Sequence, residues 1–205
     1  MTVVPETPGG CGGSAPSLAD RIDSYALVAY IPEPLAGFLN RLRRELVPSC
    51  YLQAHVTVLP PRKLPASAET GWRQVRDAAA IFDPFHLELG DIEVFPGTNV
   101  IYIGIRKGES RLVQMHQLMN RAGLWFPEPY EYHPHVTLAQ EIDPERVDEM
   151  CRLARLRWRE FSYGRRFPVE TITFVQNTRQ NIWVDLGECR LGSHSAELLE
   201  PMLAS

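Results

Sequence analysis

Apolar positions along the chain change period in a regular alternation. From Ser24 to Ile31 they run almost continuously, with the β-branched and aromatic types of a buried strand, until Pro32 and Pro34 stop the run. Leu35, Phe38, Leu39, Leu42, Leu46 and Val47 then recur at helical spacing, with Arg41, Arg44 and Glu45 on the other side, up to Pro48. A short strand over 54–59 is closed by Pro60-Pro61, and Trp72, Val75, Ala79 and Phe82 mark a second amphipathic helix. Strands are predicted over 85–89 and 99–105. The second half repeats the alternation, with a helix over 110–122, a strand over 133–139, a helix over 144–156 and strands over 169–175 and 182–186. Strands joined by both hairpin-length and helical connections predict an α+β fold of mostly antiparallel sheet in two similar halves. Residues 1–20, with three prolines and the run Gly9-Gly10-Cys11-Gly12-Gly13, lack apolar periodicity and read as a flexible N-terminal tail; residues 21–205 read as one domain.

Composition narrows the classes. A chain of 205 residues, 44% hydrophobic and 22% charged, fits a soluble globular protein of one compact domain or two small lobes. The longest apolar run, Tyr25 to Ile31, is far short of the roughly 18 residues of a membrane-spanning helix. The N-terminus has no basic start and apolar core of a secretory signal, so a cytoplasmic location is expected. A net charge of −4 argues against a protein that coats duplex nucleic acid, while a small phosphate-bearing ligand stays allowed. Cys11, Cys50, Cys151 and Cys189 are scattered, without the spacing of a zinc site, and read as reduced thiols.

The chemistry is carried by His55-Val56-Thr57-Val58 and His135-Val136-Thr137-Leu138, two copies of His-x-Thr-apolar set 80 positions apart. At this composition chance supplies about 0.05 copies per chain. In a strand each His and its Thr share one face and the apolar pair points to the other, which describes a polar cleft backed by core. Two imidazoles able to take and give protons near neutrality suit in-line displacement at a phosphodiester, one removing the proton of the attacking water and the other protonating the departing sugar oxygen. Thr57 and Thr137 would donate hydrogen bonds to the non-bridging oxygens. Which histidine is the base depends on the orientation of the substrate.

This pair resembles the motifs of the 2H phosphoesterase superfamily, the RNA ligase-like proteins and cyclic phosphodiesterases. Supporting matches are Tyr25-Ala26-Leu27 ahead of the first helix, His55-Val56-Thr57-Val58-Leu59 after it, and Pro134-His135-Val136-Thr137-Leu138-Ala139. The resemblance spans about residues 24–191. It implies two pseudo-twofold-related lobes around a central cleft, with both motifs facing it. It further implies metal-independent and cofactor-free hydrolysis of 2′,3′-cyclic phosphates or 2′-5′ linkages of nucleotides or RNA ends, with reverse 2′-5′ ligation. Gln140 stands where relatives often carry a basic residue.

Further candidates each have two readings. Arg62, in the predicted loop after the first motif strand, is placed to reach a phosphate or to sit solvated. Tyr130 and Tyr132 precede the second motif and Trp125 and Phe126 lie earlier, as stacking faces for a base or as core; Tyr132 is the favoured substrate contact. His133 and His135 form His-x-His without a third metal ligand, and His116 reads as structural. The arginines from Arg152 to Arg166 read as a solvated helix edge. A monomer is expected, with a nucleotide or RNA phosphodiester as its partner. The other class kept open is a non-catalytic RNA or nucleotide-binding module with the same cleft. No G-x-S-x-G elbow or phosphate-binding G-x-x-x-x-G-K loop is present.

Overall fold

The computed structural model describes residues 18–193. In chain order its elements are β1 (Arg21–Tyr30), α1 (Leu35–Leu46), β2 (His55–Arg62), α2 (Ala68–Ala80), β3 (Phe85–Val94), β4 (Ile101–Lys107), α3 (Glu109–Met119), β5 (His135–Ala139), α4 (Val147–Glu160), β6 (Arg166–Val169), β7 (Thr171–Thr178) and β8 (Trp183–Arg190). They build two antiparallel four-stranded sheets, ordered β2-β1-β7-β8 and β5-β4-β3-β6. The sheets correspond strand by strand. In each, a central strand leads through a helix into an edge strand that carries a His-x-Thr motif. Residues 1–17, most of the predicted tail, lie outside the described residues, as does His194.

Helix α1 buries Leu35, Ala36, Leu39, Leu42 and Leu46 along one side, as the periodicity requires. Helix α2 begins at Ser67, whose hydroxyl accepts from the Thr70 amide. The helices cross between lobes: α1 leaves the first sheet and packs on β5 of the second, while α3 leaves the second sheet and packs on β2 of the first. One continuous core of buried residues therefore spans both sheets, including Leu27, Val56 and Val58 from one and Leu89, Ile103 and Val136 from the other. Among the described residues no helix is long and apolar enough to cross a membrane.

Two expectations change. The first motif strand does not end before Pro60-Pro61 but continues to Arg62, which pairs with Tyr25 across a register shift. Prolines are tolerated there because β2 is an edge strand and the irregularity leaves their missing amides without cost. The predicted strand 169–175 is not one strand either. It divides at Glu170, so β6 completes the second sheet and β7 lies in the middle of the first. The division is concealed because β-forming residues, Val169 before it and Thr171 to Val175 after it, stand on both sides of Glu170.

Phe174 on β7 is fully buried and lies between the rings of Tyr25 and Trp72, with centroids at 5.5 and 6.0 Å and planes within 9°. This stack closes over Gly187 of β8, where an added Cβ would stand 2.6 Å from Trp72 Cζ2. Gly187→Ala is expected to destabilise the protein by roughly 1–3 kcal/mol through this overpacking, measured as a lower urea midpoint with an unchanged m-value.

Candidate active site

The two motifs occupy equivalent positions. His55 stands opposite Tyr30 and Thr57 opposite Val28 on β1, while His135 stands opposite Gly104 and Thr137 opposite Tyr102 on β4. All four motif side chains are partly exposed, and the intervening Val56 and Val136 are fully buried. Strand alternation thus puts His and Thr on the open face and valine in the core, as the sequence predicts. β2 and β5 pack against each other, which brings the two motifs together although their sheets are separate.

Each histidine is held in the same way. His55 Nδ1 lies 2.7 Å from the Gln53 carbonyl oxygen, and His135 Nδ1 lies 2.7 Å from that of His133. A carbonyl can only accept, so Nδ1 carries the proton and Nε2 is the nitrogen free for chemistry in the neutral ring. His135 Nε2 is 3.1 Å from Thr137 Oγ1, so the motif's own threonine hydroxyl donates to it.

Burial pushes the His55 imidazole down to about 4; the Gln53 carbonyl opposes this, and the charges of Arg43 and His135 add to it. His135 is also lowered, first by burial, with its carbonyl bond opposing and His133 adding. Both rings are therefore neutral in the unliganded cleft near pH 7, ready to receive a proton. An anionic ligand beside them would supply the opposite charge that lets one of them hold it.

Aromatic and acidic side chains border the pair. Tyr30 donates to Asp185 at 2.6 Å, and Tyr102 donates to Glu93 at 3.1 Å, a tyrosine–carboxylate pair beside each motif. Phe95 stacks on Tyr102 with centroids 4.0 Å apart and meets His135 edge-on at 4.9 Å. Phe95 and Tyr102 gave no signal in the sequence, because only the register of β3, β4 and β5 brings them to His135.

Arg62 takes neither role expected of it. It lies on β2 and is buried, donating through Nε to the Pro60 carbonyl and through its terminal nitrogens to Asn120 Oδ1, the Leu124 carbonyl and Glu128 Oε1. A guanidinium so occupied is an internal brace, buried rather than solvated. Glu128 also receives His116 Nε2 at 3.2 Å, and His116 Nδ1 lies 2.8 Å from the Val58 carbonyl. Tyr132 stacks on His116 with centroids 4.0 Å apart and donates to the Thr57 carbonyl at 2.7 Å. Its hydroxyl is thereby engaged with the first motif strand, and burial raises its pKa, so its observed contact is with protein.

The remaining candidates separate. His116 is buried and structural, as expected, while His133 and His86 are exposed. Among the described residues no three His, Cys, Asp or Glu side chains are grouped as metal ligands. Trp125 and Tyr130 are exposed. Of the arginines near α4, Arg157 pairs with Glu45 and Glu160, and Arg165 lies 4.1 Å over the Trp158 ring, a more partnered edge than a solvated one. Cys50, Cys151 and Cys189 are free thiols. Arg43 was not foreseen at the site; its signal is its phase on α1, one helical period from the buried Leu39 and Leu46.

Two outcomes follow from this wiring. Glu128→Ala leaves the Arg62 guanidinium buried without its carboxylate and is expected to cost about 3–5 kcal/mol, read from urea unfolding. The depressed His55 pKa means that the unfolded chain binds a proton between about pH 6.5 and 4 that the folded chain refuses, so stability falls as pH drops through that window. His55→Asn should lessen that fall, seen as unfolding midpoints that converge less steeply between pH 7 and 4.

The comparisons agree with this geometry. The family model described as the 2′-5′ RNA ligase superfamily matches residues 31–181. A protein of Bacillus cytotoxicus that carries the name phosphoesterase is 33% identical over 128 residues, 60% of this chain and 72% of its own. An RNA 2′,3′-cyclic phosphodiesterase of Aeropyrum pernix is 31% identical over 97 residues, 44% of this chain and 53% of its own. Among solved structures, E. coli LigT complexed with 3′-AMP superposes with a TM-score of 0.58 at 17% identity, covering 82% of this chain and 98% of LigT. The complex of LigT with NADP+ gives the same TM-score over 97% of LigT. With both His-x-Thr strands packed against each other and the family model matching most of its length, the chain belongs to the 2′-5′ RNA ligase superfamily of 2H phosphoesterases.

Proposed function

We propose that the protein is a metal-independent phosphodiesterase that hydrolyses 2′,3′-cyclic phosphates or 2′-5′ linkages of nucleotides or RNA ends, with 2′-5′ ligation as the reverse reaction. The observation that carries this reading is the matched pair of imidazoles, each with Nδ1 tied to a carbonyl two residues upstream, so that Nε2 is the basic nitrogen, met at His135 by the Thr137 hydroxyl. A binding module has no use for two such groups. One histidine removes the proton of the attacking water. The new P–O bond forms as the bond to the departing sugar oxygen breaks, and the other histidine, charged in the complex, protonates that oxygen. The Thr57 hydroxyl donates to the non-bridging oxygens where negative charge accumulates, and the Thr137 hydroxyl joins it by turning from His135 Nε2 to the substrate. The choice of substrate is supported by the cyclic phosphodiesterase relative and by the LigT complex with 3′-AMP.

Incubation with each 2′,3′-cyclic mononucleotide and a cyclic-phosphate-ended RNA in excess EDTA tests the reading. Turnover is expected to survive EDTA, to fall by roughly 10²–10⁴ in His55→Ala and in His135→Ala, and to give a single 2′- or 3′-phosphate product. Binding without turnover of any phosphodiester would instead establish a nucleotide-binding module.

A further inference from the structure

The two halves of the site match in strand, motif and carbonyl clamp, and differ in the basic group beside each ring: the Arg43 guanidinium at His55, and the exposed imidazole of His133 at His135. Arg43 of α1 is 4% exposed. Its NH1 donates at 3.2 Å to the Gln53 carbonyl, the same oxygen that receives His55 Nδ1–H at 2.7 Å. Its Nε is buried without a hydrogen-bond partner, and among the described residues no carboxylate pairs with it. On the other side, among the described residues no arginine or lysine donates to the His133 carbonyl that holds His135; that ring instead meets Phe95 and Tyr102 edge-on.

We propose that Arg43 is a positioning residue that gives the cleft its proton direction: its buried, unbalanced charge, joined to His55 through the shared Gln53 oxygen, keeps His55 the proton acceptor and makes His135 the group that charges and delivers the proton. The assignment rests on the phosphodiesterase reading for its catalytic meaning, but the difference between the two rings belongs to the unliganded protein.

A cation buried without a counter-ion acts through a medium that screens it weakly, so a second positive charge nearby is disfavoured. Sharing one carbonyl between guanidinium and imidazole also divides the lone pairs that would stabilise an imidazolium at His55. The other ionisable groups around His55 do not cancel Arg43. His135 from β5 is cationic when charged. Tyr30 from β1 commits its hydroxyl to Asp185 of β8. The Cys50 thiol, in the connection before β2, is the acidic group that acts on Arg43, whose own pKa is lowered by burial. A buried arginine remains charged throughout the accessible pH range.

The test is an NMR titration of the imidazole signals in the full-length protein without substrate, assigned with His55→Asn and His135→Asn. In the wild type His55 is expected to titrate below His135; the reverse order, or coincidence, overturns the proposal without need of any Arg43 variant. In Arg43→Met the His55 titration should rise by about 1 unit or more while His135 moves by a few tenths, and Arg43→Lys should restore the wild-type order. Equal movement of both rings in Arg43→Met would mark a structural role and overturn it. With a 2′,3′-cyclic nucleotide, the acid limb of kcat/KM should move upward in Arg43→Met and return in Arg43→Lys. Absence of turnover in the wild type would count against the phosphodiesterase reading, while the titrations would still decide the role of Arg43.

Discussion

Behind the cleft, one run of buried polar contacts fixes where the first motif strand can lie. β2 is an edge strand, paired on one side with β1 and otherwise free to shift. Tyr132 and His116, both from the second half of the chain, hold the consecutive carbonyls of Thr57 and Val58, and Glu128 connects His116 to Arg62 at the strand's far end. Groups this deep cannot exchange partners with water, so their hydrogen bonds specify one arrangement of the two lobes. The distance between the motifs is a property of this brace as much as of the sheets. On the proposed reading, two proton-transfer groups divided between two sheets need such a connection, since a displacement near 1 Å is enough to spoil proton transfer.

Much of this was legible in the sequence, for reasons that can be traced. Strand alternation predicted that His55 and Thr57 share an open face, because Val56 and Val58 leave only one side for the core. Helical periodicity located α1 because its leucines sit one period apart. Arg62 was misread because its partners Asn120, Leu124 and Glu128 lie about sixty residues away, and nothing local distinguishes a braced arginine from a phosphate-binding one. Tyr132 was singled out for its nearness to the second motif, yet its hydroxyl serves the first, a contact 75 residues distant. The division at Glu170 escaped notice because strand-forming residues stand on both sides of it, and strand patterning says nothing of which sheet a segment joins.

The exchange of helices between lobes gives the symmetry a physical use. Each motif strand is covered by a helix that springs from the opposite sheet, α3 on β2 and α1 on β5. Neither lobe can close its core alone. The same exchange lets α1, rooted in the first sheet, bear Arg43 beside His55 while packing on β5, so the two sides share a scaffold and still differ electrostatically.

The single residue between β6 and β7 also sets an order of events on the ribosome. Every strand of the second sheet has been made once residue 169 is synthesised, whereas the first sheet must wait for β7, which enters between β1 and β8. During synthesis β1 and β2 stand as an unfinished pair for more than a hundred residues, with the β1 edge unoccupied. Pairing β1 with β7 closes a loop of about 140 residues, the kind of long-range contact that slows folding and leaves apolar edges open in the interval. The lobe that carries His55 is thus begun first and finished last, and the nascent chain acquires its complete cleft only as the final hairpin arrives.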